Sequence, residues 1–326
     1  MRILTNVNVD WLRWRWHSLV VSWVVILAGA GLLITRGIPL GIDFSGGTLV
    51  VVEFEQPVEE EAVREALAGL PGEKVVQRYG QPDENQIMVR LPQTDAEEEG
   101  LTLGQEAAAV LDSLEQANLG MFEVLSTDIV GPGIGEDLQR RGFYATVAAL
   151  LGIMCYIALR FRLSFGIGAM VASVHDVLIT LSLLTFLGYE LSLNVVAAFL
   201  TLVGYGVNDQ IVIFDRVREN LRTNRRAPID AVINKSVNQT LPRTVITSGT
   251  TILSLTALFL FGGEVLEPFA FTMLAGVIVS TYSTVFIASA IAVLLTERRR
   301  PATAAAPGAP DAAARPGRKA GRARAS

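Results

Sequence analysis

Six apolar runs punctuate the chain, over 19–34, 143–159, 163–187, 193–214, 244–261 and 268–295. About 20 helical residues cross a hydrocarbon core about 30 Å thick, so these runs have the length of membrane spans. The pattern predicts spans over 19–35, 142–160, 163–187, 192–214, 243–262 and 268–295. Polar segments flank and separate them, over 1–18, 36–141, 215–242 and 296–326. The first run is the shortest, and Trp11, Trp14 and Trp16 precede it where an aromatic belt would sit. Ala28-Gly29-Ala30 matches a small-x-small cleavage pattern, but Leu32, Leu33 and Ile34 carry the run past it. An uncleaved anchor is therefore expected.

Only 36–141 is long enough between spans to make a soluble domain. Within it, 48–54 is β-branched and aromatic and predicts a strand. Helical spacing follows over 58–70, with Val63, Leu67 and Leu70 on one side. Two strands, 74–79 and 86–91, flank a turn over 80–85. A second helix over 101–117 aligns Leu103, Ala107, Val110, Leu111 and Leu114, and 121–129 reads as a last strand. The order βαββαβ is the ferredoxin-like arrangement. The fold class expected is thus a polytopic α-helical membrane protein of six spans with a ferredoxin-like head. The tail 301–326 is mostly Ala, Pro, Gly and Arg, and is expected to be disordered and basic.

Composition sharpens this picture at two points. Hydrophobic residues make up 51% of the chain and gather in runs, which reads as a membrane protein. The net charge of −5 conceals a strong asymmetry. The segment 36–137 holds about twenty acidic residues against about five basic ones. Basic residues gather at 2–15, at Arg160 and Arg162, over 216–235, and at 298–300. With six crossings these groups share one side, so both termini are expected in the cytoplasm and the head outside. Arg140 and Arg141 are the exception. Cys155 is the only cysteine, excludes an internal disulfide, and reads as packing material.

Polar residues inside the spans carry the candidate chemistry. Asp209 lies near the end of an otherwise apolar run, where a charge costs about 2.5–3.5 kcal/mol on insertion scales. Asn208 adjoins it, His175 and Asp176 sit mid-span, and Arg243 opens the fifth span. Thr244, Thr247, Ser248, Thr250, Thr251 and Ser254 follow. Small-residue stripes (Gly168, Ala172 and Asp176; Gly276, Ser280, Thr284 and Ala288) let helices approach closely. Two readings stand for Asp209 and Arg243. One is a structural ion pair. The other is a proton relay, in which burial favours the neutral acid and a guanidinium the charged one. Arg itself cannot relay.

Other motifs are weak. The stretch 41–48 lacks the Lys of a phosphate loop, and 130–135 reads as a turn. His17 and His175 are far apart in sequence, which argues against a histidine-built metal or hydrolase site. Asn238-Gln239-Thr240 matches a glycosylation acceptor but falls on the side expected to be cytoplasmic.

Five stretches together resemble the SecF-type subunits of the SecDF family, within the RND superfamily. They are 41–48 (GIDFSGGT), 130–138 (VGPGIGEDL), 173–177 (SVHDV), 204–220 (GYGVNDQIVIFDRVREN) and 234–251 (NKSVNQTLPRTVITSGTT), and the likeness extends over 6–295. The resemblance implies half of an RND-type bundle, with SecD supplying the other half. It implies proton-driven help for secretory polypeptides crossing the SecYEG channel, with YajC a further candidate partner. It implies a bacterial inner-membrane setting, with the lipid bilayer as surroundings and no nucleic acid partner. It implies no enzymatic nucleophile and no cofactor beyond protons as coupling ion. Asp209 then corresponds to the family's proton-bearing aspartate and Arg243 to its arginine; Asn208, His175 and Asp176 are lesser candidates along the path, from their place within the spans. A half-exporter of lipids or drugs, and a passive scaffold for the channel, are the rival readings.

Overall fold

The computed structural model describes residues 8–71, 74–80, 84–92, 103–160, 163–224, 227–263 and 265–297. The predicted tail over 301–326, the centre of the turn over 80–85 and the basic residues Arg162, Arg225, Arg226 and 298–300 lie outside these.

A four-stranded sheet forms the extramembrane part. Its strands are β1 (Gly47–Phe54), β2 (Val75–Tyr79), β3 (Gln86–Pro92) and β4 (Phe122–Val130), in the order β2-β3-β1-β4. Each adjacent pair is antiparallel. Alternation in β1 aims Val50, Val52 and Phe54 at α3 (Glu60–Ala66) and α4 (Leu103–Ala117). There they meet Val63, Leu67, Val110 and Leu114, all buried. Burying each such side chain contributes about 1.5–3 kcal/mol. The helix expected over 58–70 is shorter, because the chain turns after Leu67, yet the predicted inward residues are the ones that point in. Edge strand β4 leaves Val124, Leu125 and Ile129 exposed.

The rest is a helical bundle. A 3-10 turn over Trp11–Trp14 leads into α1 (Arg15–Arg36), and α2 (Ile42–Ser45) precedes the sheet. After β4 come α5 (Pro132–Arg160), α6 (Leu163–Leu187), α7 (Leu193–Thr223), α8 (Ile229–Phe261) and α9 (Glu267–Ser283). A π-helical turn (Thr284–Ala288) joins α9 to α10 (Ser289–Glu297). Among the described residues, five helical stretches are long and apolar enough to cross a membrane. They are Trp11–Arg36, Phe165–Leu187, Leu193–Thr223, Ile229–Phe261 and Glu267–Thr296. The second expected span, 142–160, falls on α5, of 29 residues, which is not among these five. Cys155 on α5 is exposed rather than packed.

The segment 215–242, read as a loop, is mostly helix. α7 runs on to Thr223 and α8 begins at Ile229. Pro242 adjoins the expected start of the fifth span at 243. Here it lies within α8, where it removes one backbone donor without ending the helix. Side chains bind this extension together. Asn220 Nδ2 donates to Ser236 Oγ at 2.8 Å, and Arg216 Nε to Gln239 Oε1 at 2.7 Å. Asn234 and Asn238 hold the N-terminal segment by accepting from the Trp11 backbone and indole N–H groups, both at 2.9 Å.

The 41–48 stretch, set aside as a weak phosphate motif, is the joint between sheet and bundle. Asp43 Oδ2 accepts from Leu193 N at 2.8 Å and so caps α7. Gly41 N donates to Leu191 O at 2.8 Å, and Leu191 N to Pro39 O at 2.7 Å. Gly46 and Gly47 turn the chain into β1 with φ of 71° and 118°, values that suit glycine. Gly135 on α5 packs against backbone here, with Phe44 O 2.9 Å from where a Cβ would lie.

Arg90 of β3 clasps the same joint. Its Nη1 lies 2.8 Å from Glu190 Oε1 and donates to Leu40 O at 2.9 Å. Burial pushes the Glu190 carboxyl above its usual range, and Arg90 pulls it back only in part. Nearby, burial and the Glu267 carboxylate hold the Tyr189 phenol well above its usual range, so it stays a donor to Glu267 Oε1 at 2.5 Å. The docked Glu190 takes up a proton more readily than a free one. Docking is therefore strongest below the ordinary glutamate value and weakens as pH rises through the raised one. Spin-label distances between sheet and bundle should narrow as pH falls through that window. Glu190→Gln should remove the pH response, and Arg90→Ala should broaden the distances at neutral pH.

Candidate functional site

The site lies where α6, α7, α8 and α9 meet. Asp209 of α7 is buried at 5% exposure. Its Oδ2 accepts from Ser248 Oγ of α8 at 3.4 Å. Tyr205, one turn back on α7, donates its phenol to Ser248 Oγ at 3.3 Å. Thr281 of α9 places its Oγ1 2.9 Å from Ser248 Oγ and 2.8 Å from Val277 O, so two acceptors compete for its one proton. Ser248 is the junction, able to accept twice and donate once. The three hydroxyls form a chain ending on a carboxylate, the arrangement that lets a proton arrive or leave by local rotation.

A second carboxylate adjoins this chain. Asp176 of α6 is 3% exposed, and its Oδ1 lies 3.0 Å from Nδ1 of the buried His175. Ser280 and Ser283 of α9 lie beside its carboxyl group. Gly206 makes the approach possible. A Cβ there would lie 2.5 Å from Ser280 Oγ and 3.6 Å from Asp176 Oδ2. The α9 segment 280–283 thus touches both acids' partners, through Ser280 and Ser283 on one side and Thr281 on the other.

The predicted residues divide into two sets. Asp209, Asp176 and His175 are buried around one polar cluster. Asn208 and Arg243 are exposed. Among the described residues no ion pair within 4.0 Å joins Arg243 to Asp209, so the expected contact pair is absent. Ser248, more than a turn further along α8, takes the place opposite Asp209, and Arg243 acts on it only as a nearby charge. Exposed polar groups continue along both helices, at Thr201 and Asn208 on α7 and at Arg243, Thr250 and Ser254 on α8.

The sequence reading passed over Tyr205 and Thr281, and it placed Ser248 among many hydroxyls. Spans commonly carry such groups bonded to their own carbonyls, as Thr250 and Ser254 are here. Only the register between α7, α8 and α9 sets Ser248 apart.

Fold and site define a membrane protein with a helical bundle, a buried carboxylate–hydroxyl chain and a small antiparallel sheet domain. Residues 110–298 match the family described as "Protein export membrane protein SecD/SecF, C-terminal", and residues 31–58 match the "SecD/SecF GG Motif". The protein translocase subunit SecF of Calditerrivibrio nitroreducens is 40% identical over 91% of this chain and 97% of its own. That of Escherichia coli O157:H7 is 39% identical over 89% and 88%. A solved structure of SecDF from Thermus thermophilus, described as translocon-associated, superposes with a TM-score of 0.81 at 35% identity over 91% of this chain. This chain spans 40% of that SecDF chain. A SecDF structure in a super-membrane-facing form gives 0.67. The chain belongs to the SecF family of protein translocase subunits. None of these relatives supports the lipid- or drug-exporting reading.

Proposed function

We propose that this chain is the SecF-type half of a SecDF assembly and uses the proton motive force to promote passage of secretory polypeptides through SecYEG. The observation that carries this is Asp209, buried at 5% exposure at the end of a hydroxyl chain. A permanently charged acid in that place costs several kcal/mol, whereas an acid that takes and gives a proton has a use for the site.

The cycle runs as follows. A proton from the outer side joins the Asp209 carboxylate through the Tyr205, Thr281 and Ser248 hydroxyls. The neutral acid no longer attracts Arg243, and the helices repack. In the repacked bundle the proton leaves toward the cytoplasm, and the restored carboxylate draws the helices back. Each charge crossing 100 mV supplies about 2.3 kcal/mol. Asp43, on the cap of α7, and Arg90 carry that movement to the head.

In this reading α5 is also a crossing, the second of six, the head is ferredoxin-like and lies outside, and both termini are cytoplasmic. SecD covers the exposed polar stripe of Thr201, Asn208, Arg243 and Thr250, since such groups are unfavourable against lipid. YajC is a further partner. Asn208, His175 and Asp176 serve the path, protons are the coupling ion, and no catalytic nucleophile or other cofactor takes part.

Reconstitution tests the reading. In proteoliposomes holding SecYEG and its ATP-driven motor, an imposed proton gradient should increase export when this chain and SecD are both present. Omitting either half should remove the increase. An equal increase without SecD would contradict the proposal.

A further inference from the structure

α7 and α9 run side by side in one direction at a fixed register. A Cβ on Gly276 would meet Leu202 Cδ2 at 2.4 Å, and one on Gly206 would meet Ser280 Oγ at 2.5 Å. From the first contact to the second is four residues along both helices. Carried one more step, that register puts Gln210 of α7 level with Thr284, the first residue of the π-helical turn. Both are inside the bundle, at 0% and 1% exposure. Gln210 Oε1, Gln210 Nε2 and Thr284 Oγ1 are all buried without a hydrogen-bond partner in the protein.

Orphaned buried polar atoms are costly, at about 1–3 kcal/mol each. An apolar pair of similar shape would avoid that cost. Native interiors satisfy such groups with ordered water, which makes about three hydrogen bonds. The π turn adds to the polarity, because its widened ladder disturbs the regular pairing of backbone carbonyls. Ser289 Oγ donates to the Thr284 carbonyl, five residues back, at 3.1 Å, and the Thr284 hydroxyl itself has no partner in the protein. Both acids are close by. Asp209 precedes Gln210 in the chain, and Asp176 Oδ2 lies beside Gly206, one turn back on the same helix.

We propose that Gln210 and Thr284 bind a small cluster of ordered water, and that this cluster carries protons between the Asp176–Ser280 group and the end of the bundle away from the sheet domain. The inference rests on the proton-carrying reading above. Each transfer balances: a water oxygen gains a proton on one side and gives one up on the other. The amide and the hydroxyl only hold the water in line. They are positioning residues.

Infrared difference spectroscopy on the assembled complex with SecD, with H2 18O exchange to mark internal water, tests the cluster directly. Proton uptake by the same complex in liposomes tests the route. Gln210→Leu and Thr284→Val preserve shape and remove the polar atoms, and co-purification of SecD reports that each variant is folded. Both should lose the isotope-sensitive water bands, and proton uptake should fall about tenfold or more, as expected for a lost buried hydrogen-bonding partner. Thr284→Ser should restore both. Unchanged water bands in both apolar variants would overturn the proposal whatever the uptake. Lost bands with unchanged uptake would overturn the route. Asp209→Asn in the same experiment separates the two proposals. If it leaves uptake intact, the proton-carrying role of Asp209 fails, while the water bands still decide whether the cluster exists.

Discussion

Asp209→Asn should abolish the response of export to a proton gradient while leaving the complex assembled. Asparagine keeps the size and the acceptor oxygen that Ser248 meets at 3.4 Å, so the bundle loses no volume. It removes a costly buried charge, and the folded state should be as stable or more so. What it cannot do is bind and release a proton near neutral pH. ATP-driven export should continue at its basal rate, and the increase caused by the gradient should vanish. Gradient-stimulated export by proteoliposomes, against stability of the purified complex, makes the distinction. A structural ion-pair role predicts the reverse, with stability changed and stimulation kept.

Gly29→Ala should destabilise the bundle strongly, and Gly31→Ala should not. A Cβ on Gly29 would fall 2.2 Å from Ser182 Oγ, 2.3 Å from Ser182 Cβ and 2.9 Å from Ser182 Cα. Rotating the hydroxyl relieves only the first contact. The other two involve the stem and the backbone of α6, so the helices must separate. Overpacking of this kind costs about 1–3 kcal/mol. Gly31, two residues on in α1, has nothing within 4 Å of the same position. Alanine there should be neutral in the bundle and favour the helix slightly. Thermal unfolding of the two variants with their partner should differ by several degrees, with only Gly29→Ala shifted down. Because α6 carries His175 and Asp176, Gly29→Ala should also disturb the polar cluster, though α1 contributes no acid to it.

Much of this architecture was legible in the sequence, for definite physical reasons. The inward residues of the sheet domain follow from strand alternation and helical spacing, so Val63, Leu67, Val110 and Leu114 stood out before the fold was known. Asp209, Asp176 and His175 stood out because charge in an apolar run needs a cause. Three features were not legible. The fifth span was expected to begin at 243, whereas α8 starts at Ile229 and passes through Pro242. Arg243 was expected against Asp209, but the register of two antiparallel helices puts Ser248 there instead. Gln210 drew no notice because it is uncharged and sits beside a more conspicuous acid. Its complete burial and unpartnered amide set it apart, and one helix alone reveals neither.

Time-resolved infrared spectroscopy of the assembled complex tests the central claim most directly, by following the carboxylic C=O stretch of Asp209 while a proton gradient is applied. Asp209→Asn identifies the band. The account predicts that the band grows and decays with each turnover of export. A band that never forms, or one that persists unchanged while the gradient drives export, would contradict it.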